Sequence, residues 1–261
     1  MNWIGWTAII GAGAWIPHII NFLYKKFVKP KLNFIPEPNI EVGYSFFGPM
    51  LNPTFAISTA RKDALIEKIR IRIVHGPTKE EHEFIWQFLD ERGFEGTSSK
   101  GEKVELRKTQ SAIALKIGLV GLIERKIAFN DISFLQKRLE LENSLYEQED
   151  LLRRTRPQEC PACIFQTREY IELIDFLKAA FCWKEGEYKL SLYVHEISSR
   201  KPHLEKFSFN LRKRDIDRLE RNIETAQSFI KSSVELRTGA ISTVPYFFWN
   251  WAYPSVNRIN D

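Results

Sequence analysis

Between Trp3 and Tyr24 the chain carries no charged side chain, and Lys25, Lys26, Lys29 and Lys31 follow at once. About 22 residues of helix, rising ~1.5 Å each, match a hydrocarbon layer of roughly 30 Å. The run is therefore read as a transmembrane anchor, residues 1–24. Its lysines lie on the C-terminal flank, which places the N-terminus outside and everything after Lys25 in the cytoplasm. Trp3, Trp6 and Tyr24 suit the two interfaces, and His18 falls close enough to the lysines to reach the headgroups. Ala8 and Ala12, or Thr7 and Gly11, stand four apart and would allow two such helices to approach, so a homo-oligomer is admitted.

The remaining chain has ample material for a core, since hydrophobic residues make up 44% of the 261. Removing the four juxtamembrane lysines from the formal charge of +5 leaves +1. The basic excess thus belongs to the membrane flank, where it suits anionic headgroups, and a nucleic-acid partner loses its main support. Three cysteines, an odd number, fit a reducing compartment.

Lys29 to Pro38 holds three prolines and reads as an extended stalk, so that residues 25–38 link anchor and body. A body over residues 39–237 then opens with alternating runs. Ile40, Val42, Tyr44 and Phe46 recur at every second position, as do Phe55 and Ile57. Ile69, Ile71 and Ile73 oppose Lys68, Arg70 and Arg72, the signature of a half-buried strand. After a turn at His75-Gly76-Pro77, Phe84, Trp86 and Phe88 are expected inward on an antiparallel partner. Ser111 to Ile117 is a further candidate strand.

From about 130 to 183 the character changes. Asp131 to Arg154, free of Gly and Pro, predicts a long helix. A second starts at Thr167 with Ile171, Ile174, Leu177 and Phe181 on one face. Strands return with Tyr188, Leu190, Leu192 and Val194, then Phe207, Phe209 and Leu211. Asp215 is positioned to cap a last amphipathic helix to Arg237, with Ile216, Leu219, Ile223, Ala226 and Ile230 on its seam. The expected class is mainly β: an immunoglobulin-like β-sandwich with a helical insertion, the alternative being α+β. The segment Gly186-Glu187-Tyr188-Lys189-Leu190 resembles a late strand of immunoglobulin-like domains.

Motifs for chemistry are sparse. Cys160-Pro161-Ala162-Cys163 is read first as plain thiols at a turn, with half of a zinc site or a redox dithiol as the alternatives. Zinc would need Cys182 and one of His75, His82, His195 or His203 brought in by the fold. Gly118-Leu119-Val120-Gly121 lacks the lysine and serine of a phosphate loop, and no serine-nucleophile elbow is present. Catalysis therefore has no motif behind it, and the expected activity is binding.

The tail, residues 238–261, opens with a run free of charge to Asn257 and carries Tyr246, Phe247, Phe248, Trp249, Trp251 and Tyr253. Such a run either covers an apolar face of the body or meets a membrane or a partner. The combined expectation is a single-pass scaffold or adaptor that holds an unidentified protein partner at the inner membrane face. A metal or redox protein using Cys160 and Cys163, or an anionic-lipid sensor, are the alternatives.

Overall fold

In the computed structural model, which describes residues 15–20, 22–23, 28–91, 95–97, 103–105, 108–156, 160 and 162–259, the alternating runs join one large antiparallel sheet. It begins as a long kinked hairpin. β1 (Lys31–Pro36) and β2 (Glu41–Ser45) run up one side, and β3 (Gly48–Asn52) and β4 (Thr54–Ala60) run back. Leu32 and Phe34 point inward in β1, so the proline-rich stretch expected as a stalk is a strand instead. Proline is tolerated there because Pro36 ends a strand that, among the described residues, pairs with β4 alone.

β5 (Ala64–His75) and β6 (Glu81–Glu91) form the next hairpin. The short strands β9 (Lys108–Ser111) and β10 (Leu115–Ile117) pair with β6 and β5 respectively, replacing the single strand expected there. β7 (Glu95–Thr97) and β8 (Lys103–Glu105) form a separate ribbon. β11 (Leu122–Asn130) lies between β3 and β4 on one side and β6 on the other. β12 (Gly186–Glu196) and β13 (His203–Leu211) extend the sheet beyond β5.

The expected faces are largely buried as read, with one informative exception. Phe84 and Trp86 are buried, yet Phe88 is 46% exposed and Leu89 takes the inward position. The register shifts here: Phe129 lies opposite Trp86 but Ala128 lies opposite Phe88, so Gln87 is unmatched. An extra residue reverses the parity of everything after it. Sequence alternation carries no mark of that bulge.

Three helices gather at one end. α1 (Ile132–Thr155) follows β11, α2 (Arg168–Ala179) precedes β12, and α3 (Lys213–Arg237) follows β13. Asp131 caps α1 by accepting from the Ser133 and Phe134 amides at 2.8 and 3.1 Å. Thr167 Oγ1 accepts from the Tyr170 amide at the start of α2. Arg212 is the residue before α3, while Asp215, expected as the cap, reaches back to the Arg212 amide at 3.0 Å. The helices share a second core with Phe46, built on Leu145, Leu173, Leu177 and Ile230. Ile171 stays outside it at 49% exposure, because Leu173 and Ile174 occupy the inward face of α2.

The last segment changes the architecture. β14 (Trp251–Ala252) pairs with β2 at one edge of the sheet, and β15 (Asn257–Arg258) pairs with β13 at the other. Between them, the Ile40 amide donates to Pro254 and the Val256 amide to Pro38. The tail is thus a final stave that joins the two edges and curls the sheet on itself. The two separate sheets of an immunoglobulin-like sandwich are replaced by a single one of 13 strands. Pairing across the edges satisfies backbone groups that an open sheet would leave exposed. Inside, Phe34, Phe55 and Phe207 meet edge-on or tilted, and Trp183 stacks over Phe84.

Of the N-terminal run, residues 15–20 and 22–23 are helical, and Trp15, Ile16, Ile19, Ile20, Phe22 and Leu23 are exposed. Among the described residues no helix is long and apolar enough to cross a membrane. Residues 1–14, 21 and 24–27, which carry most of the expected anchor together with Lys25 and Lys26, lie outside the described residues.

Candidate functional site

The helical end of the sheet holds a cleft of about 440 Å³. Its rim combines the β5–β6 turn and start of β6 (Glu80, His82), the cap of α1 (Asp131, Ser133) and the segment after α2 (Cys182, Lys184). Phe134 and Phe176 stack 5.0 Å apart and form its apolar wall. Most of the polar groups are already committed to structure. Asp131 holds the first turn of α1, and Lys184 Nζ reaches Glu80 Oε1 at 2.6 Å. The Lys184 amide donates to the Tyr188 hydroxyl at 2.7 Å, fixing the segment that carries Cys182.

Two groups of the cleft, the Cys182 thiol and the His82 imidazole, are biased toward their neutral forms. Burial, reinforced by the Asp131 carboxylate, pushes the Cys182 thiol up to about 12. Burial lowers the His82 pKa below its ordinary value, against the opposing pull of Asp131 and Glu80. A nucleophilic cysteine needs the opposite environment, one that favours the thiolate. The cleft is suited to receiving a mixed polar and apolar group and ill suited to attacking one.

The cysteines weighed as an alternative metal set are separated. Cys160 feels Glu149 and Arg153 near the end of α1, whereas Cys182 feels Asp131 at its start. Some eighteen residues of helix lie between, or roughly 27 Å. Cys182 therefore cannot complete a site with Cys160 and Cys163. Cys160 and Cys182 are free thiols, and among the described residues no group of three or more His, Cys, Asp or Glu is placed to hold a metal ion. His75 is buried instead as a brace: its ring contacts Thr78 Oγ1 at 2.8 Å and the Glu185 carbonyl at 3.0 Å. His203 pairs with Glu205, and His195 lies 3.2 Å from Arg70.

The tail aromatics divide by parity. Phe247 meets Phe229 of α3, Trp249 packs on the helical core, and Trp251 lies over Gly43 of β2. Tyr246 and Phe248 face outward, 82% and 79% exposed, with ring centroids 4.8 Å apart and planes at 80°. Tyr253, though on the inward parity, is exposed, since the alternation ends with β14 at Ala252. The alternating aromatics were visible in the sequence, but which parity faced inward depends on the pairing of β14 with β2. Lys29 and Lys31 are exposed at the foot of β1.

One buried residue has no counterpart in the sequence reading. Asn222, fully buried on the seam of α3, donates to the carbonyls of Tyr44 and Asn250, both at 2.8 Å. Its Oδ1 accepts from the Asn250 amide and side chain. It ties helix, sheet and tail together just before the tail becomes a strand, and so sets where Tyr246 and Phe248 are presented. A polar residue three positions after Leu219, beside the apolar seam, is the available signal.

Comparisons with protein-family models, with curated proteins and with solved structures find no match for this chain.

Proposed function

We propose that this chain is a membrane-anchored docking module: the N-terminal apolar run is its anchor, and the body holds a second protein at the cytoplasmic face. The observation that carries the reading is the outward aromatic pair Tyr246 and Phe248. Two large rings left in water are unfavourable for the isolated chain. Here they are also preorganised, because Phe247, Trp249 and Asn250 hold the same backbone down. Rigid aromatic anchors of this kind concentrate binding energy at protein interfaces. The cleft lined by Phe134, Phe176 and His82 would receive part of the same partner. Its neutral thiol and imidazole fit recognition better than chemistry.

The test is chemical cross-linking of the full chain in membranes of its own cells, comparing wild type with the double variant Tyr246→Ala, Phe248→Ala. The expected result is a reproducible cross-linked partner that the double variant loses while its unfolding midpoint is unchanged. Retention of the same cross-links would overturn the reading. Reporters fused after Lys31 and after Asp261 check the orientation, and both are expected to report cytoplasm.

A further inference from the structure

The sheet has two ends of opposite kind. Helices cover the upper one, and bare turns form the lower one, where β1 begins at Lys31 opposite Ala60. Among the described residues three turns meet at that base: residues 61–63 between β4 and β5, residues 118–121 between β10 and β11, and residues 197–202 between β12 and β13. The middle turn is closed by the Gly121 amide on the Gly118 carbonyl at 2.9 Å. Its two central residues, Leu119 and Val120, are therefore at the apex, 48% and 98% exposed. Turn apices normally carry Gly, Asn, Asp or Ser, not paired aliphatics.

The apex is also fixed. Asp63 Oδ1 accepts from the Leu119 amide at 2.8 Å, which occupies the carboxylate nearest the turn. Leu122, just inside it, is 62% exposed, and Ile197 in the neighbouring hairpin is 61% exposed. The turns and strand ends of this base also carry basic side chains: Lys31, Arg61, Lys116, Arg200 and Lys201 are all exposed. The base also receives the chain directly from the uncharged run and its lysines.

We propose that this base is seated on an anionic bilayer, with Leu119 and Val120 dipping into the interface and the basic side chains of the base meeting headgroup phosphates. Aliphatic side chains together with Lys and Arg are the chemistry that such a surface selects. The seating rests on the anchor reading, and adds that the body stands upright with its helices and the Tyr246–Phe248 pair away from the lipid. A protein partner at the base would not require it to coincide with the point where the apolar run joins the sheet.

The experiment uses the full chain reconstituted into vesicles of phosphatidylcholine with phosphatidylglycerol. Val120→p-benzoylphenylalanine is irradiated and lipid adducts are read by mass spectrometry. Glu185→p-benzoylphenylalanine, exposed at the upper end just before β12, is the control. Flotation of the vesicles reports the anchor separately. The expected result is flotation of both variants, a lipid adduct at 120 that weakens in pure phosphatidylcholine, and none at 185. Flotation without an adduct at 120 overturns the seating and leaves the anchor. An adduct indifferent to phosphatidylglycerol overturns the role of the cations. Failure to float overturns anchor and seating together.

Discussion

At the residue scale, the buried side chains of Asn222 and Glu149 are the most informative, because each has a partner distant in sequence. Asn222→Ala would strip the Tyr44 and Asn250 carbonyls and the Asn250 amide of their partner inside a packed region. The expected loss is roughly 2–4 kcal/mol in urea unfolding, well above that of an exposed Asn. Glu149 gives a sharper contrast. It is fully buried in α1 and held by Arg153 and Arg237, and Arg237 also lies 3.9 Å over the Tyr146 ring. Removing the carboxylate leaves two arginines that already reach water, while removing Arg237 leaves a buried charge short of a partner. Arg237→Ala is therefore expected to destabilise more than Glu149→Leu, and a reversed order in denaturant melts would refute this. His82 supplies a pH dependence. Its folded pKa is depressed, so the unfolded chain binds the proton more readily below about 6.5. Stability should fall as pH drops through that value toward the folded pKa, and His82→Gln should remove that part of the slope.

At the scale of elements, strands whose two faces differ in polarity were legible from alternation alone. Ile69, Ile71 and Ile73 in β5, and Tyr188 to Val194 in β12, are buried as their spacing requires. What alternation misses is anything decided by a neighbour. Phe88 turns outward because of a bulge against β11, and the alternation of Leu32 and Phe34 is masked by Pro30 before, and Pro36 at the end of, a six-residue strand. Cys182 could be counted in the sequence, but its setting is made by Asp131 and Glu80, which only folding brings near. The joint between β2 and β14 offers an element-scale prediction. A Cβ on Gly43 would lie 2.2 Å from Cζ3 of Trp251, so Gly43→Ala must push the indole off the strand. A loss of about 1–3 kcal/mol is expected in the wild-type background. In a Trp251→Ala background the same change should have almost no effect, which a double-mutant cycle would show.

At the scale of the whole molecule, the organising fact is that one C-terminal tail bonds to both edges of the sheet. The sequence shows the tail's composition but nothing of its pairing, since its partners lie some fifty to two hundred positions away. Thiol chemistry gives a global check on the assembled structure. Alkylation at neutral pH should spare Cys182 in the native protein and reach it only on unfolding, because its thiol is pushed up to about 12. The closing stave also sets a clock. A chain made from its N-terminus cannot complete this sheet until residues 251–258 have left the ribosome. Throughout synthesis β2 and β13 present open edges, the state in which strands recruit foreign strands. The period of greatest aggregation hazard for this protein is therefore its own translation, and any chain broken off before Trp251 stays in it permanently.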